Sequence, residues 1–229
     1  MFALLIACMP PKIGLDDIQS VEDIERLCAE STPEEETVLV RFEAETEDCP
    51  WEEDDNLPAQ DGYYTARIES TEDLDIPTSA VLCDVEYNFQ VNPDEAQIMR
   101  YDDHFVLDFN GAVLAASNRQ VAEFMPTSDD LRIWDWSEVA GQQIDWNQTD
   151  NWCLGEDEGL ADCTIPATDT PGEMLLDYDD AIVDKLSLRA VERGRVEFTF
   201  TTIGDNDAGT DCTHEPFEFE IDVAYVEAR

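Results

Sequence analysis

The sequence predicts an all-β protein, folded as an antiparallel β-sandwich with a short N-terminal helix. From residue 38 onwards, apolar and polar residues alternate in many short segments, as they do in strands that bury one face. Turn-forming Gly, Pro, Asp and Asn separate these segments. With 43% apolar residues, the 229-residue chain has enough apolar side chains for a sizeable core. Many short strands around one core are typical of a sandwich.

A short helix is predicted ahead of the strands. Apolar residues recur there at roughly helical spacing, at Leu15, Ile18, Val21, Ile24 and Leu27. Ser20 and Asp23 have the spacing of a capping box, which predicts a helix that ends near Glu30.

Alternation with a period of two then predicts a series of strands. The predicted strands cover residues 38–44, 64–68, 81–91, 104–109, 131–136, 196–201 and 217–225. In the segment 131–136, Trp134 and Trp136 would share one face of the strand. The last two segments alternate most regularly, so that one face meets the core and a polar, largely acidic face meets solvent.

Acidic residues dominate the composition. The chain has 56 Asp and Glu against 12 Lys and Arg, and its formal net charge is −44. This balance resembles that of proteins from salt-loving organisms, in which molar salt screens the repulsion between surface charges. The alternative is an acidic surface that binds divalent cations. Nucleic acids and anionic membrane surfaces are poor partners for this charge, because binding to them depends on basic patches.

Seven cysteines indicate an oxidising compartment and leave one thiol without a disulfide partner. Cys153 and Cys163 flank a loop rich in Gly and acidic residues, which favours a local bridge between them. Without Cys8, four further cysteines allow three pairings, and they are Cys28, Cys49, Cys83 and Cys212.

The N-terminal segment Leu5-Ile6-Ala7-Cys8 resembles a bacterial lipobox, the motif in which a cysteine is lipidated and becomes the new N-terminus. The resemblance implies that Cys8 carries the lipid anchor, and that residues 1–8 are a truncated lipoprotein signal. Met9 follows the cysteine where the family's inner-membrane retention signal has Asp. We therefore expect a bacterial outer-membrane, cell-surface or periplasmic location, with the membrane contacted through lipid only. The alternative is a buried N-terminal strand with Cys8 in the core.

The remaining chain divides into two predicted parts. Residues 9–36 form a proline-containing tether and the short helix, and residues 37–229 form the β-sandwich domain. A division near residue 95, at the turn-forming Asn92-Pro93-Asp94, is the alternative.

The loop between the last two predicted strands is a candidate calcium site. Calcium binds six to eight hard oxygen ligands, and this loop concentrates carboxylate and amide oxygens. The candidate ligands are Asp205, Asn206, Asp207 and Asp211. The alternative is a solvated hairpin loop held by Cys212.

The segment Thr199–Val223 resembles the C-terminal hairpin of galactose-binding-like β-sandwiches, which have a jelly-roll architecture. The preceding segment Thr164–Leu176 has the spacing found in galactophilic bacterial calcium lectins. In those lectins the late loop binds calcium, and the ion holds sugar hydroxyls. By position, Asp205 matches their first loop aspartate, whereas their later Asn-Asn pair falls near Cys212 and Thr213. The resemblance implies a calcium-assisted sugar site.

A second candidate region is Tyr101–Gly111, which is similar to a strand–turn of several carbohydrate-binding sandwich domains. The resemblance implies that Asp102 and Asp103 are ligand-binding residues, and Asn110-Gly111 predicts a hairpin turn. Trp146 and Trp152 lie in a stretch rich in Asp and Asn and are the candidate stacking platforms for sugar rings.

No catalytic motif supports an enzyme, so we expect a non-catalytic protein. The leading expectation is a surface-anchored lipoprotein that binds a glycan or another cell-surface polymer, with calcium assisting. The first alternative is a structural or interaction lipoprotein of a salt-adapted bacterium, with no small ligand. A glycan-active hydrolase, which needs two suitably spaced carboxyl groups, comes third.

Overall fold

A computed structural model describes residues 14–43, 62–88, 97–99, 104–116, 121, 124–128, 131–143, 163–164, 181–204 and 217–228. Two antiparallel sheets dominate this part of the chain, and a short helix precedes them. The predicted all-β sandwich with an N-terminal helix is therefore confirmed. The lipobox-like segment lies outside the described residues.

The described residues include eleven strands, three α-helices with defined bounds and one 3-10 turn, Leu15–Asp17. The helices are α1 (Val21–Glu30), α2 (Trp136–Val139) and α3 (Ala181–Arg193). The strands are β1 (Glu34–Phe42), β2 (Ala66–Asp73), β3 (Ala80–Asn88), β4 (Gln97–Met99), β5 (His104–Phe109), β6 (Ala112–Ala116), β7 (Thr127–Ser128), β8 (Leu131–Arg132), β9 (Cys163–Thr164), β10 (Glu197–Gly204) and β11 (Phe217–Glu227).

The strands form one three-stranded sheet in the order β1-β11-β3 and one four-stranded sheet in the order β2-β10-β5-β6. The pairs β4-β9 and β7-β8 form two small ribbons. All these pairings are antiparallel. Each large sheet combines strands from both sides of residue 95.

The main core lies between the two large sheets. Phe105, Phe198 and Phe200 point inward from the four-stranded sheet and are at most 1% exposed. The ring of Phe200 contacts those of Phe42 and Phe105, with centroids 5.6 Å and 5.0 Å away. Alternation places the neighbouring residues of these strands on the outer face of the sheet.

The N-terminal helix α1 begins as predicted. The hydroxyl of Ser20 accepts a hydrogen bond from the backbone N–H of Asp23, and the carboxylate of Asp23 accepts one from the backbone N–H of Gln19. The first bond satisfies a donor that a helix start leaves free. The bonds that the Asp23 carboxylate accepts, from the N–H of Gln19 and from the hydroxyl of Ser20, lower the pKa of Asp23. The helix buries Ile24 and Leu27 against β3 and α3.

Helix α3 is absent from the predicted elements. Its apolar residues pack against two different parts of the protein. Leu186 and Ala190 enter the main core. Leu188 and Val191 pack in the cluster around α1. The apolar stripe is therefore too broad to show the simple spacing of a helix with one buried face.

The predicted strand at residues 131–136 is confirmed at its start and wrong at its end. Strand β8 contains only Leu131 and Arg132, and Trp136 begins the short helix α2 instead. The carboxylate of Asp135 accepts a hydrogen bond of 2.9 Å from the backbone N–H of Ser137, which caps the helix start. The two tryptophans consequently lie in different elements, and they do not share a strand face.

A disulfide joins Cys28 of α1 to Cys83 of β3, with Cα atoms 5.6 Å apart. This bond belongs to one of the three pairings that the sequence allows for Cys28, Cys49, Cys83 and Cys212. If Cys153 is bonded to Cys163 as predicted, Cys49 and Cys212 are left as the expected last pair. Both of those residues and Cys153 lie outside the described residues.

No helix in the described ranges is long and apolar enough to cross a membrane.

Candidate functional site

The residues predicted to bind calcium or sugar lie outside the described residues. They are Asp205, Asn206, Asp207 and Asp211 for calcium, and Asp102, Asp103, Trp146 and Trp152 for sugar. Their roles therefore stay predictions. Among the residues that the structure does describe, no group of three or more His, Cys, Asp or Glu is placed to hold a metal ion.

The predicted hairpin turn at Asn110-Gly111 is confirmed between β5 and β6. Both residues have positive φ, 47° for Asn110 and 83° for Gly111, as a type I′ turn requires. The turn brings the chain back so that Phe109 pairs with Ala112. Asn and Gly are the residues that adopt this backbone at least cost.

Asn110 connects this turn to the start of β10. Its side-chain amide donates to the carbonyl of Arg195 at 2.9 Å and accepts from the N–H of Glu197 at 3.1 Å. Its backbone N–H donates to the carbonyl of Glu197 at 2.8 Å, and its carbonyl accepts from Nε of Arg189 at 2.6 Å. Because four polar groups of one buried residue are satisfied, the hairpin, the end of α3 and the start of β10 hold each other in place.

A cavity of about 180 Å³ lies beside this junction, on the outer face of the four-stranded sheet. We name it the polar cavity; its principal lining residues are Glu69, Asp108, Trp134, Arg193, Arg195 and Glu197. The register of the strands explains why these residues lie together. Thr199, which also lines the cavity, pairs with Asp108 on one side and with Thr71 on the other. These outward positions alternate with phenylalanines that enter the core.

Asp108 is the most unusual group of the polar cavity. The residue is only 2% exposed. Its Oδ1 accepts a hydrogen bond of 2.6 Å from the N–H of Gly111, whereas its Oδ2 is buried and has no hydrogen-bond partner among the described atoms. The pKa of Asp108 is raised from 3.8 to about 7, chiefly by burial and in smaller part by the nearby Glu69 and Glu197, against the opposing effects of the Gly111 bond and Arg189.

Trp134 forms an aromatic wall of the polar cavity. Its backbone N–H donates to the carbonyl of Gly111 at 2.8 Å, which ties it to the hairpin turn. Its indole N–H donates to Oε1 of Glu69 at 3.4 Å. The same carboxylate lies 3.5 Å from Nε of Arg67. The indole is therefore oriented from two sides, and its ring is partly exposed.

A buried histidine lies among apolar residues on the same sheet face, under α2. His104 is fully buried there, and its ring packs edge-on against Tyr64 with centroids 5.7 Å apart. Burial lowers the pKa of His104 to about 3, so the imidazole is neutral at physiological pH. The surrounding residues are apolar, among them Val106, Ile203 and Trp136. This region acts as a second core under the helix.

The residues of the polar cavity were not among the predicted site residues. Asp108 lies in the candidate region Tyr101–Gly111, but the sequence drew attention to Asp102 and Asp103 instead. One signal was present: Asp108 occupies an outward position of a strand whose preceding outward residue, Val106, is apolar. An acidic residue whose neighbour on the same outward face of the strand is apolar indicates that other parts of the chain cover the outer face of the sheet as well as the inner face.

Comparisons with protein-family models, with curated proteins and with solved structures found no match for this chain.

Proposed function

We propose that this protein is a surface-anchored lipoprotein that binds glycans without transforming them, and that the polar cavity holds one sugar ring. The observation that supports the proposal most is the presence of an indole, carboxyl groups and guanidinium groups around one cavity of about 180 Å³. Sugars combine an apolar ring face with many hydroxyls, and this set of groups offers both stacking and hydrogen bonds. The cavity is smaller than the roughly 300–1,000 Å³ of sites for drug-sized ligands, in keeping with a single ring.

Calcium is not needed at the polar cavity in this proposal. The cavity lies near Glu197 at the start of β10, whereas the candidate calcium loop follows Gly204 at the end of that strand. The strand separates the two by roughly 23 Å, at 3.3 Å for each residue. The loop containing Asp205 and Asp211 is therefore proposed as a separate calcium site.

Replacing Trp134 with Ala is expected to weaken glycan binding by about tenfold or more, because the apolar wall of the cavity is lost. A glycan array identifies a binding sugar, and isothermal titration calorimetry then compares the variant with the wild-type protein. Leu39→Ala is the matched control, since Leu39 is an apolar residue that is 55% exposed on β1. Undiminished binding by a folded Trp134→Ala variant would contradict the assignment of this cavity.

The same titration in the presence of a calcium chelator separates the two sites. Unchanged affinity is expected at the polar cavity. Affinity that disappears with calcium would move glycan binding to the loop that contains Asp205. An array with no binding glycan would favour the structural lipoprotein. Cleavage products from a bound glycan would favour the hydrolase, for which Asp108, with its raised pKa and its place in the polar cavity, is a candidate acid.

Peptide mapping of the mature protein tests the anchor and the cysteine assignments together. The expected result is an N-terminus at a lipid-modified Cys8 and three disulfides, namely Cys28–Cys83, Cys153–Cys163 and Cys49–Cys212. An unmodified Met1 in the mature protein would end the lipoprotein proposal. Recovery of Cys28 or Cys83 with another partner, from protein alkylated before digestion, would contradict the disulfide in the structure.

A further inference from the structure

Arginines are concentrated around the polar cavity of a strongly acidic protein. Arg189, Arg193 and Arg195 lie within seven consecutive residues at the junction of α3 and β10, and the latter two line the cavity. The whole chain has only 12 Lys and Arg and a net charge of −44. A local group of guanidiniums in such a chain marks a place where negative charge can be bound.

The carboxylates of the cavity wall already have positive partners. Nη1 of Arg195 lies 2.8 Å from Oε2 of Glu197, and Nε of Arg67 lies 3.5 Å from Oε1 of Glu69. Glu69 also accepts the indole N–H of Trp134. Each wall carboxylate therefore has a guanidinium beside it, and Arg193 adds a further positive charge at the rim.

Asp108 supplies a buried group that still has hydrogen-bonding capacity. Its Oδ1 is used by the hairpin turn, whereas its Oδ2 is buried without a partner among the described atoms, and the residue lines the cavity. A buried polar atom without a partner costs free energy, and a ligand atom that pairs with it recovers that cost.

We infer that the sugar bound in the polar cavity is an acidic one, a uronic acid whose carboxylate lies between Arg195, Arg193 and the carboxyl group of Asp108. This inference rests on the proposed glycan binding and specifies its ligand class. Guanidinium groups hold carboxylates through paired hydrogen bonds. A protonated carboxyl group donates to the same carboxylate, which an ionised one would repel. Asp108 is thereby a specificity-determining residue.

The affinity for an acidic sugar then depends on pH through Asp108. The charged groups that face it are Glu69 from β2, Glu197 from β10 and Arg189 from α3, with Arg193 and Arg195 at the rim. Because burial raises the pKa of Asp108 to about 7, the carboxyl group is neutral below that pH and ionised above it. Binding of an anionic sugar is therefore strong in mild acid and weakens as the pH rises through neutrality.

The test compares oligogalacturonates and oligoglucuronates with their methyl esters, which have the same sugar rings but no charge. The titrations are done at constant high salt, at about pH 5, where the carboxyl group of Asp108 is protonated, and at about pH 9, where it is ionised. At the lower pH the free acids are expected to bind about tenfold or more tightly than the esters, and most of this preference should be lost at the higher pH.

Two variants locate the effect. Arg195→Gln should reduce the preference for the free acids by about tenfold, whereas the control Arg26→Gln should retain it. The control is closely matched, because Arg26 and Arg195 both lie 2.8 Å from a carboxylate oxygen and both have side chains that are 53% exposed. Asp108→Asn keeps a neutral donor and should bind the free acids with no change across the pH range.

The outcomes separate this inference from the proposed function. If the esters bind as tightly as the free acids, or if binding by the wild-type protein does not change with pH, the acidic-sugar inference is overturned and glycan binding stands. If neither the free acids nor the esters bind, and a full glycan array shows no binding either, the acidic-sugar inference and the proposed glycan binding both fail. A pH effect that persists unchanged in Asp108→Asn would show that Asp108 is not its source and would overturn the inference as well.

Discussion

Replacing Asp108 with Asn is expected to raise the free energy of unfolding at pH 8 by up to about 4 kcal/mol. Burial raises the pKa of Asp108 from 3.8 to about 7, so the folded protein at pH 8 contains a buried carboxylate that the unfolded chain exposes to water. Each pKa unit corresponds to about 1.4 kcal/mol between the two states. Asn is neutral, and its amide oxygen can still accept the hydrogen bond from Gly111.

The sign of this effect follows from the direction of the pKa shift. Below pH 3.8 the carboxyl group is protonated in both states, and the variant should gain nothing. Between 3.8 and about 7 the unfolded chain loses the proton while the folded protein retains it, so the advantage of the variant grows with pH. Above about 7 the advantage is constant.

Urea unfolding of both proteins across this pH range, at constant high salt, measures the difference directly. Glu72→Gln is the matched control, because it removes one negative charge from an exposed position of the same sheet. An equal gain in the control would mean that the effect comes from the overall charge of −44. A gain in Asp108→Asn that does not vary with pH would contradict the buried position of this carboxyl group.

Replacing Phe200 with Ala is expected to lower the free energy of unfolding by about 3–5 kcal/mol, the usual cost of deleting a buried aromatic ring. Phe200 is 1% exposed on the inner face of β10. Its ring contacts Phe42 of the opposite sheet and Phe105 of the neighbouring strand. The deletion therefore opens a cavity at the centre of the sandwich, where both sheets supply side chains.

The measurement is again the unfolding free energy, with Leu39→Ala as the control on an exposed site. Leu39 is 55% exposed, so its truncation should change stability by less than about 0.5 kcal/mol. A loss below about 1 kcal/mol in Phe200→Ala would contradict the packing of the two sheets at this position.

The two substitutions act on opposite faces of one sheet. Phe200 points from β10 into the main core, whereas Asp108 lies on the outer face of the adjacent β5, beside Thr199. Loss of the ring removes apolar contacts, and loss of the carboxyl group removes a desolvated charge. The opposite signs expected for the two variants therefore report on the two sides of the same sheet.

Several elements were predictable because the information for them is local. The alternation around Phe198 and Phe200 indicates a strand with one buried face, since side chains alternate between the two faces of any strand. Ser20 and Asp23 predict the start of α1, because capping involves residues only three positions apart. Asn110-Gly111 predicts its hairpin turn, because few residues adopt positive φ at low cost.

Other features depended on contacts between distant parts of the chain. Helix α3 lacks the spacing of a helix with one buried face because its apolar residues face two neighbours. The start of α2 at Trp136 differs, because its cap from Asp135 to Ser137 is local and is readable from the sequence. The choice of Cys83 as the partner of Cys28 required the packing of α1 on β3. Sequence spacing carries no information about the packing of α3 or about the choice of Cys83.

The sequence by itself determined the all-β class, the first helix and the Asn110-Gly111 turn, because each depends on a repeating pattern or on a few adjacent residues. The polar cavity was decided only by the tertiary structure. Its members Glu69, Asp108 and Trp134 are far apart in the chain and meet through strand register and the hairpin turn. The raised pKa of Asp108 has the same origin, because the burial that causes it comes from residues outside its own segment.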